Sequence, residues 1–368
     1  MTLDRRELLK ASLTGAAGLG AAALAGCPGS RGGPAVHTQP KLRWRLASSF
    51  PKSLDTIFGA AEAFAARVEE LTGGNFKVRV YAGGEVVPPL KVLDAVQQQS
   101  VELGHTASYY YTGKNPALAF DATVPFGLDA RQHMAWLHAG GQELLAKQFA
   151  DFGVVALPGG NTGVQMGGWF REPVRSLQDL AGLKMRIPGL GGKVMDRLGV
   201  LVQNIPGGEI YPALERGAID ATEWVGPYDD QKLGFHQVVK HYHYPGWWEP
   251  GPALSFYVGA QAWQGLPGSY QAAVRAAAAE AGVKMLNAYD ALNPPALQSL
   301  LEAGVQLQPF PDDVMRAARD ASEALLAEEA AKSADFKAIL EHWRAFRKAS
   351  NAWLATAELA YGRFAYGG

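Results

Sequence analysis

The 368-residue chain has a single cysteine, Cys27, so no intramolecular disulfide can brace its fold. It also lacks a surplus of positive charge. Lys and Arg number 34 against 35 Asp and Glu, a net charge of −1, which argues against a nucleic-acid partner. No HExxH or GxSxG pattern is present, and there is no internal repeat or long low-complexity tract. The apolar stretch Ala11 to Ala25 is too short for a comfortable membrane span. What is present, 48% hydrophobic and 19% charged residues, is an ordinary globular composition, long enough for two lobes with their own cores.

The N-terminus reads as an address and not as fold. Asp4-Arg5-Arg6-Glu7-Leu8-Leu9-Lys10 is a basic region with a twin arginine, followed by the small apolar run and by Leu24-Ala25-Gly26-Cys27. Residues 1–26 are expected to be an export signal of the twin-arginine, lipoprotein type, with cleavage before Cys27 and lipidation of its sulfur. Residues 27–40, rich in Gly, Pro and polar groups, read as a flexible tether.

From Leu42 strand and helix signals alternate. Leu42, Trp44 and Leu46 alternate as a half-buried strand. Ser53 or Asp55 can cap a helix with Ile57, Ala61, Phe64, Val68 and Leu71 on one face. Further strands are expected at Phe76–Val80, Val101–Ala107, Val154–Leu157, Lys184–Ile187, Leu201–Ile205, Ile219–Val225, Ala253–Ala260 and Val305–Gln308. Helices are expected from Pro89 to Gln99, Ala130 to Phe152, Lys193 to Leu198 and Glu209 to Arg216. Ser176-Leu177-Gln178-Asp179 resembles a capping box. A long alanine-rich helix, Ser269 to Gly304, should break near Pro294-Pro295. This βαβα order predicts an α/β fold with a mainly parallel sheet covered by helices. The best architecture is two α/β lobes with a hinge and a cleft between them. Lobe I is expected over 41–163 plus 252–291 and lobe II over 164–251 plus 292–310. Residues 311–368 form a C-terminal helical region.

Four segments place polar side chains among glycines, prolines and aromatics: Gly160 to Trp169, Lys184 to Gly189, Gly217 to Asp230, and Tyr244 to Gly251. Glycines let backbone approach a ligand, and aromatics exclude water around it. Arg186 can bind a carboxylate bidentately, or serve a surface or interlobe salt bridge. Glu223 and Glu249 read either as site acids or as rim acids. Asn161 and Gln165 read either as site amides or as turn residues. His236, His241 and His243 do not have zinc-protease spacing. Gly189 to Lys193 lacks full P-loop spacing and reads as a strand-to-helix turn. Asp229-Asp230 could be an acid/base pair, but a helix start that favours acids is the plainer reading.

Taken together, GNTGVQMGGWF, KMRIPGLGG, PGGEIYPALERGAIDATEWVGPYDD and YPGWWEPGP resemble the DctP-type solute-binding receptors of TRAP transporters. The likeness runs from about Leu42 through Gly251 and more loosely to the C-terminus. It is closest to the branch that binds 2-oxo and 2-hydroxy monocarboxylates such as pyruvate and lactate. The resemblance implies a hinge-closing receptor outside the cytoplasm, without catalytic residues, that delivers its ligand to the membrane subunits of a TRAP transporter. It implies that Arg186 meets the substrate carboxylate. Gln165, Glu223, the Trp224 carbonyl and Glu249 would ligate an ion, with Gln165 also beside the substrate. Asn161 and a tyrosine within 109–111, Tyr110 or Tyr111 by preference, would contact the substrate. A homodimer through the C-terminal helices fits the resemblance as well. The lipid anchor departs from the usual free periplasmic form.

Charge supports the ion. Glu223, Glu249 and a substrate carboxylate oppose one Arg186, and like charges about 4 Å apart cost about 4 kcal/mol at an effective dielectric near 20. A divalent cation neutralises the set, and all-oxygen ligands suit Ca2+, with Na+ the alternative. The rival reading is a metal-dependent lyase or hydrolase with Glu223 or Asp229 as base. A purely structural envelope protein is the third.

Overall fold

The computed structural model describes residues 39–366. The export signal, Cys27 and nearly all of the tether expected from the sequence lie outside the described residues.

Eleven strands form two sheets among the described residues. They are β1 Leu42–Ser48, β2 Phe76–Tyr81, β3 Leu103–Thr106, β4 Val154–Asn161, β5 Trp169–Phe170, β6 Lys184–Arg186, β7 Leu201–Gln203, β8 Ala221–Thr222, β9 His241–Tyr244, β10 Ala253–Gly259 and β11 Gln306–Pro309. The first sheet runs β2-β1-β3-β10-β4 and the second β11-β9-β5-β8-β6-β7. The fold is thus α/β with two lobes, and each lobe is assembled from separate stretches of chain.

The sheets are more mixed than the βαβα grammar predicts. β1 pairs in parallel with β2 and β3, and β6 with β7 and β8. However, β10 lies antiparallel between β3 and β4, and β5 antiparallel between β8 and β9. Both reversed strands enter their sheet from the other lobe, but β11 does so as well and runs parallel to β9, so neither the crossing nor side-chain alternation encodes strand direction.

Several expected elements are reshaped by their surroundings. The first helix begins at Gly59, with no side-chain cap from Ser53 or Asp55. Asp55 instead reaches across to Lys232 and to the Tyr228 hydroxyl (3.1 Å). The span Ala130 to Ala150 kinks at Gly140, whose φ of +107° suits glycine alone. The long helix Gly268–Glu302 does not break at Pro294 and Pro295. Both prolines are exposed, and the carbonyls of Asp290 and Ala291, which they leave without an N–H partner, lie on the exposed side. The Asn293 side chain also accepts the Tyr228 N–H (3.1 Å), which ties this part of the helix to its neighbour. The capping box of Ser176 and Asp179 forms as expected.

Aromatic pairs anchor both cores. Phe64 stacks on Phe256 (4.1 Å between centroids) in the first lobe, and Trp169 on Tyr242 (4.0 Å) in the second. The C-terminal region is helical, as expected, over Asp312–Lys332 and Ala334–Leu354 and on to Ala365.

Candidate functional site

The site is built where strands stop. β8 ends at Thr222, three residues before the expected strand end, and Gly226-Pro227 opens a short helix, Pro227–Lys232. Glu223 and Trp224 therefore leave the ladder and face the neighbouring end of β6. Arg186, the last residue of β6, is 1% exposed and pairs directly with the equally buried Glu223 carboxylate. Its Nε donates to the Ile205 carbonyl (2.9 Å) and its Nη1 to the Glu223 carbonyl (3.3 Å). The Trp224 ring lies 5.1 Å from the guanidinium carbon, a cation–π contact.

A second pair of segments closes on this one. The Gln165 N–H donates to the Glu249 carbonyl (3.3 Å), and the Gly246 N–H to the Gln165 carbonyl (3.1 Å). A Cβ on Gly246 would stand 2.5 Å from that carbonyl oxygen, so only glycine permits the approach. The Met166 N–H donates to the Val225 carbonyl (3.0 Å), which ties the two pairs together. Gln165 Nε2 bonds the Thr162 hydroxyl (3.2 Å), and Gln165 and Tyr109 stand near enough to the Glu249 carboxylate to favour its charged form. Tyr110 lies close enough to Arg186 for the guanidinium's charge to act on its hydroxyl.

Burial dominates the electrostatics. It pushes the Glu223 carboxyl up to about 7 against the pull of Arg186. Burial, and then the charge of Glu223, hold Glu249 well above the carboxylate range. Burial works against the charge on Arg186, but Glu223 and its other acidic neighbours outweigh that and keep it firmly protonated. Two carboxylates thus share one guanidinium, and the second asks for a proton or a cation.

Four buried polar atoms of the expected ligand-binding residues are without a protein partner: Gln165 Oε1, Glu223 Oε2, Glu249 Oε2 and Arg186 Nη2. Three oxygens and one guanidinium N–H left unpaired in a single site fit a hard cation beside a carboxylate. Among the described residues no cluster of three or more His, Cys, Asp and Glu could hold a metal alone. Two carboxylates, an amide and a carbonyl make an incomplete shell that a ligand's own oxygens would finish. The adjacent cavity, bounded by Phe50, Ile57, Thr162, Val225 and Leu254, measures about 10 Å³, room for little more than one water-sized group. A bound acid needs more room than the one water-sized group this cavity admits. A wider groove of about 380 Å³ beside β4 and the long helix is mainly apolar; its one charged lining residue, Arg275, lies 4.6 Å from the Trp263 ring.

Of the other expected site residues, Tyr111 points elsewhere. Its hydroxyl takes the Leu93 N–H (3.2 Å) and pairs with Thr106 (3.0 Å) in the first lobe. The Asn161 amide is engaged by backbone, donating to the Gly251 carbonyl (3.0 Å) and accepting from the Gly163 N–H (2.8 Å). Tyr109 is a site residue that the sequence did not single out. No signal in the sequence separated it from its neighbours: residues 108–111 form a single 3-10 turn, whose three residues per turn send adjacent rings in directions about 120° apart. His243 is a core residue, accepting the Val174 N–H (3.3 Å) and stacked on Phe310. Gly189 is a strand-to-helix turn at which a Cβ would stand 3.0 Å from that of Tyr109. Asp229 and Asp230 do start a helix, but both are turned into the core.

The chain is 52% identical over 364 residues to the monocarboxylate 2-oxoacid-binding periplasmic protein of Nostoc sp., covering 99% of each. Its fold matches a TRAP transporter solute-binding protein of Bordetella bronchiseptica, a mixed-occupancy dimer with calcium and picolinate in one active site, at a TM-score of 0.88 and 47% identity over 89% of this chain and 98% of that one. A TRAP periplasmic solute-binding protein of Pseudoalteromonas atlantica with bound sodium and pyruvate matches at 0.85 and 40% identity over 87% and 98%. The model of bacterial extracellular solute-binding protein family 7, DctP, matches residues 47–333, and this chain belongs to that family.

Proposed function

We propose that the chain is the extracytoplasmic receptor of a TRAP-type transporter, capturing a small 2-oxo or 2-hydroxy monocarboxylate of the pyruvate or lactate kind together with a cation. The observation that carries this reading is the set of three unpaired buried oxygens beside the unpaired Nη2 of Arg186. Arg186 receives the substrate carboxylate, with Tyr110 beside it. Gln165, Glu223, the Trp224 carbonyl and Glu249 ligate the ion. Tyr109 stands beside Glu249, and Asn161 shapes the loop that carries Gln165. The substrate's carboxylate and 2-oxygen complete the ion's shell, bringing four protein ligands to roughly the six that calcium requires. Calcium neutralises the buried set, and sodium is the alternative.

The ligands of the two solved relatives share this logic. Pyruvate has an oxygen, and picolinate a ring nitrogen, on the atom next to the carboxylate, so both can form a five-membered chelate. Calorimetry with pyruvate, lactate and propionate, each with Ca2+, Na+ or chelator, tests the proposal. Tight, ion-dependent binding of the first two and weak binding of propionate is expected, and equal affinity for lactate and propionate would refute the chelate. Recovery of unchanged acid after incubation separates a receptor from the metal-dependent lyase or hydrolase reading. A structural envelope protein would show no ligand-dependent stabilisation, whereas a receptor gains about 2.7 kcal/mol at a hundredfold excess over its dissociation constant.

Sheet membership supports the division into lobe I, 41–163 plus 252–291, lobe II, 164–251 plus 292–310, and a helical region 311–368. Exposed Trp353, Leu359, Tyr361 and Phe364 near the C-terminus support a homodimer through this region. No described helix is long and apolar enough to cross a membrane. The twin arginine and Cys27 support export of the folded protein and a lipid anchor at the membrane surface. Mass spectrometry of the membrane-bound protein would show a diacylated Cys27 as the N-terminal residue.

A further inference from the structure

Asp229 and Asp230 are adjacent, sit in the first turn of the helix Pro227–Lys232, and are 0% and 1% exposed. A helix start favours acids without burying them, so their inward turn needs another cause. Their partners supply one. Asp229 Oδ2 accepts the Trp224 indole N–H (3.3 Å) and the Tyr289 hydroxyl (2.8 Å). Asp230 Oδ2 accepts the Trp169 indole N–H (2.9 Å) and the Tyr242 hydroxyl (2.7 Å), while its Oδ1 accepts the Val225 N–H (3.3 Å).

Two of these bonds grip one residue from both sides. Asp229 holds the side chain of Trp224. Asp230 holds the N–H of Val225, which belongs to the same planar peptide as the Trp224 carbonyl and points away from it. Fixing that N–H on a carboxylate aims the carbonyl in the opposite direction. It also polarises the peptide and draws electron density onto the carbonyl oxygen. This grip is needed because β8 has already ended at Thr222, so no ladder bonds set the plane of this peptide. The Met166 N–H on the Val225 carbonyl (3.0 Å) fixes only the peptide that follows.

We propose that Asp229 and Asp230 are the positioning layer of the ion site, Asp229 through the Trp224 indole and Asp230 through the Val225 N–H, together setting the direction and donor strength of the Trp224 carbonyl. The proposal rests on the reading of that carbonyl as an ion ligand. Trp169 and Tyr242 brace Asp230 from the second sheet. Tyr289 braces Asp229 from the long helix, so the carbonyl is referenced to two rigid elements.

The test uses the full-length receptor stripped with chelator and titrated calorimetrically with Ca2+ in the presence of pyruvate. Asp230→Asn keeps the shape and removes the charge. It is expected to weaken Ca2+ binding about ten- to a hundredfold, the usual loss for an outer-shell partner. Tyr242→Phe removes one brace and leaves the Val225 bond, so it should lower the ion-free melting temperature yet hold Ca2+ affinity within about threefold. Equal weakening in the two variants, or none in Asp230→Asn, overturns the positioning role while leaving the ion site standing. Failure of the wild type to bind Ca2+ or Na+ removes the ion reading and this proposal with it. Should Asp230→Asn not fold, the wild-type Val225 amide proton decides. Its NMR resonance shifts on ion saturation if the other side of its peptide is a ligand, and an unmoved resonance overturns the proposal.

Discussion

Replacing Arg186 by Met probes the buried pair at the centre of the site. The guanidinium has bonds to the Glu223 carboxylate, the Glu223 carbonyl and the Ile205 carbonyl, and both charged side chains are 1% exposed. Removing one partner strands Glu223 in a buried environment, a loss of about 3–5 kcal/mol. Glu223→Gln alone leaves the guanidinium to Glu249, which can give up its proton to pair with it, and should cost less. The double variant has neither charge and should recover most of the loss. Binding behaves differently: Arg186→Met and the double variant should both lose monocarboxylate affinity by at least about 2 kcal/mol, roughly thirtyfold. The assay is urea unfolding of chelator-treated protein followed by tryptophan fluorescence, with calorimetry for the ligand. The penalty of Arg186→Met should also grow with pH. Burial already pushes the Glu223 carboxyl up to about 7 with Arg186 in place, and without it the carboxyl can escape its isolation only by taking a proton. If the loss in the double variant equals the sum of the single losses within about 0.5 kcal/mol, the two groups are not coupled and the reasoning fails.

Other outcomes follow from the same geometry. Folded Glu223 holds its proton up to about 7, above the ordinary value of 4.5, so the ion-free protein should be most stable below pH 4.5, as far as this group is concerned, and lose that stability as pH rises through 7. Calcium takes the proton's place, so thermal melts at pH 5 to 8 should show the fall removed by the ion and Ca2+ affinity rising with pH. Glu249→Gln removes one of two carboxylates and should abolish most calcium-dependent stabilisation in a thermal-shift assay; unchanged stabilisation in Glu223→Gln or Glu249→Gln would refute the ligand assignment. Truncation after Leu354 removes Leu359, Tyr361 and Phe364, and light scattering should show a monomer if the dimer forms through this region.

Local patterns in the sequence were faithful where the cause is local. Leu42, Trp44 and Leu46 alternate because one face of β1 is buried, and Ser176 with Asp179 caps a turn using only its own backbone. The four segments rich in Gly, Pro and aromatics could be picked out because close backbone approach and strand ends need those residues. What depends on distant partners was hidden. Asp55 looks like a helix cap until Lys232 and Tyr228 stand beside it. Asp229 and Asp230 look like solvated acids until Tyr289, Tyr242 and Trp169 turn them inward. Tyr109 could not be told from Tyr111 because composition says nothing of the direction in which a 3-10 turn presents each ring. Strand direction was equally silent, since β5 is only two residues long and β10 is buried along its whole length, and neither pattern carries a direction.

The place of β10 bears on how the protein is made. It is an interior strand of the first sheet, and β4 has no other neighbour there. A nascent chain that has emerged only as far as β4 cannot close that sheet, because its missing strand lies some 90 residues further on, at Ala253–Gly259. The second sheet waits only for an edge strand, β11, once β9 has formed. The lobe that is translated first is therefore completed after most of the other has been synthesised. Until β10 arrives, the open edges of β3 and β4 are free to pair wrongly with other chains. A chain with this topology gains from having its whole length present in one place when it folds.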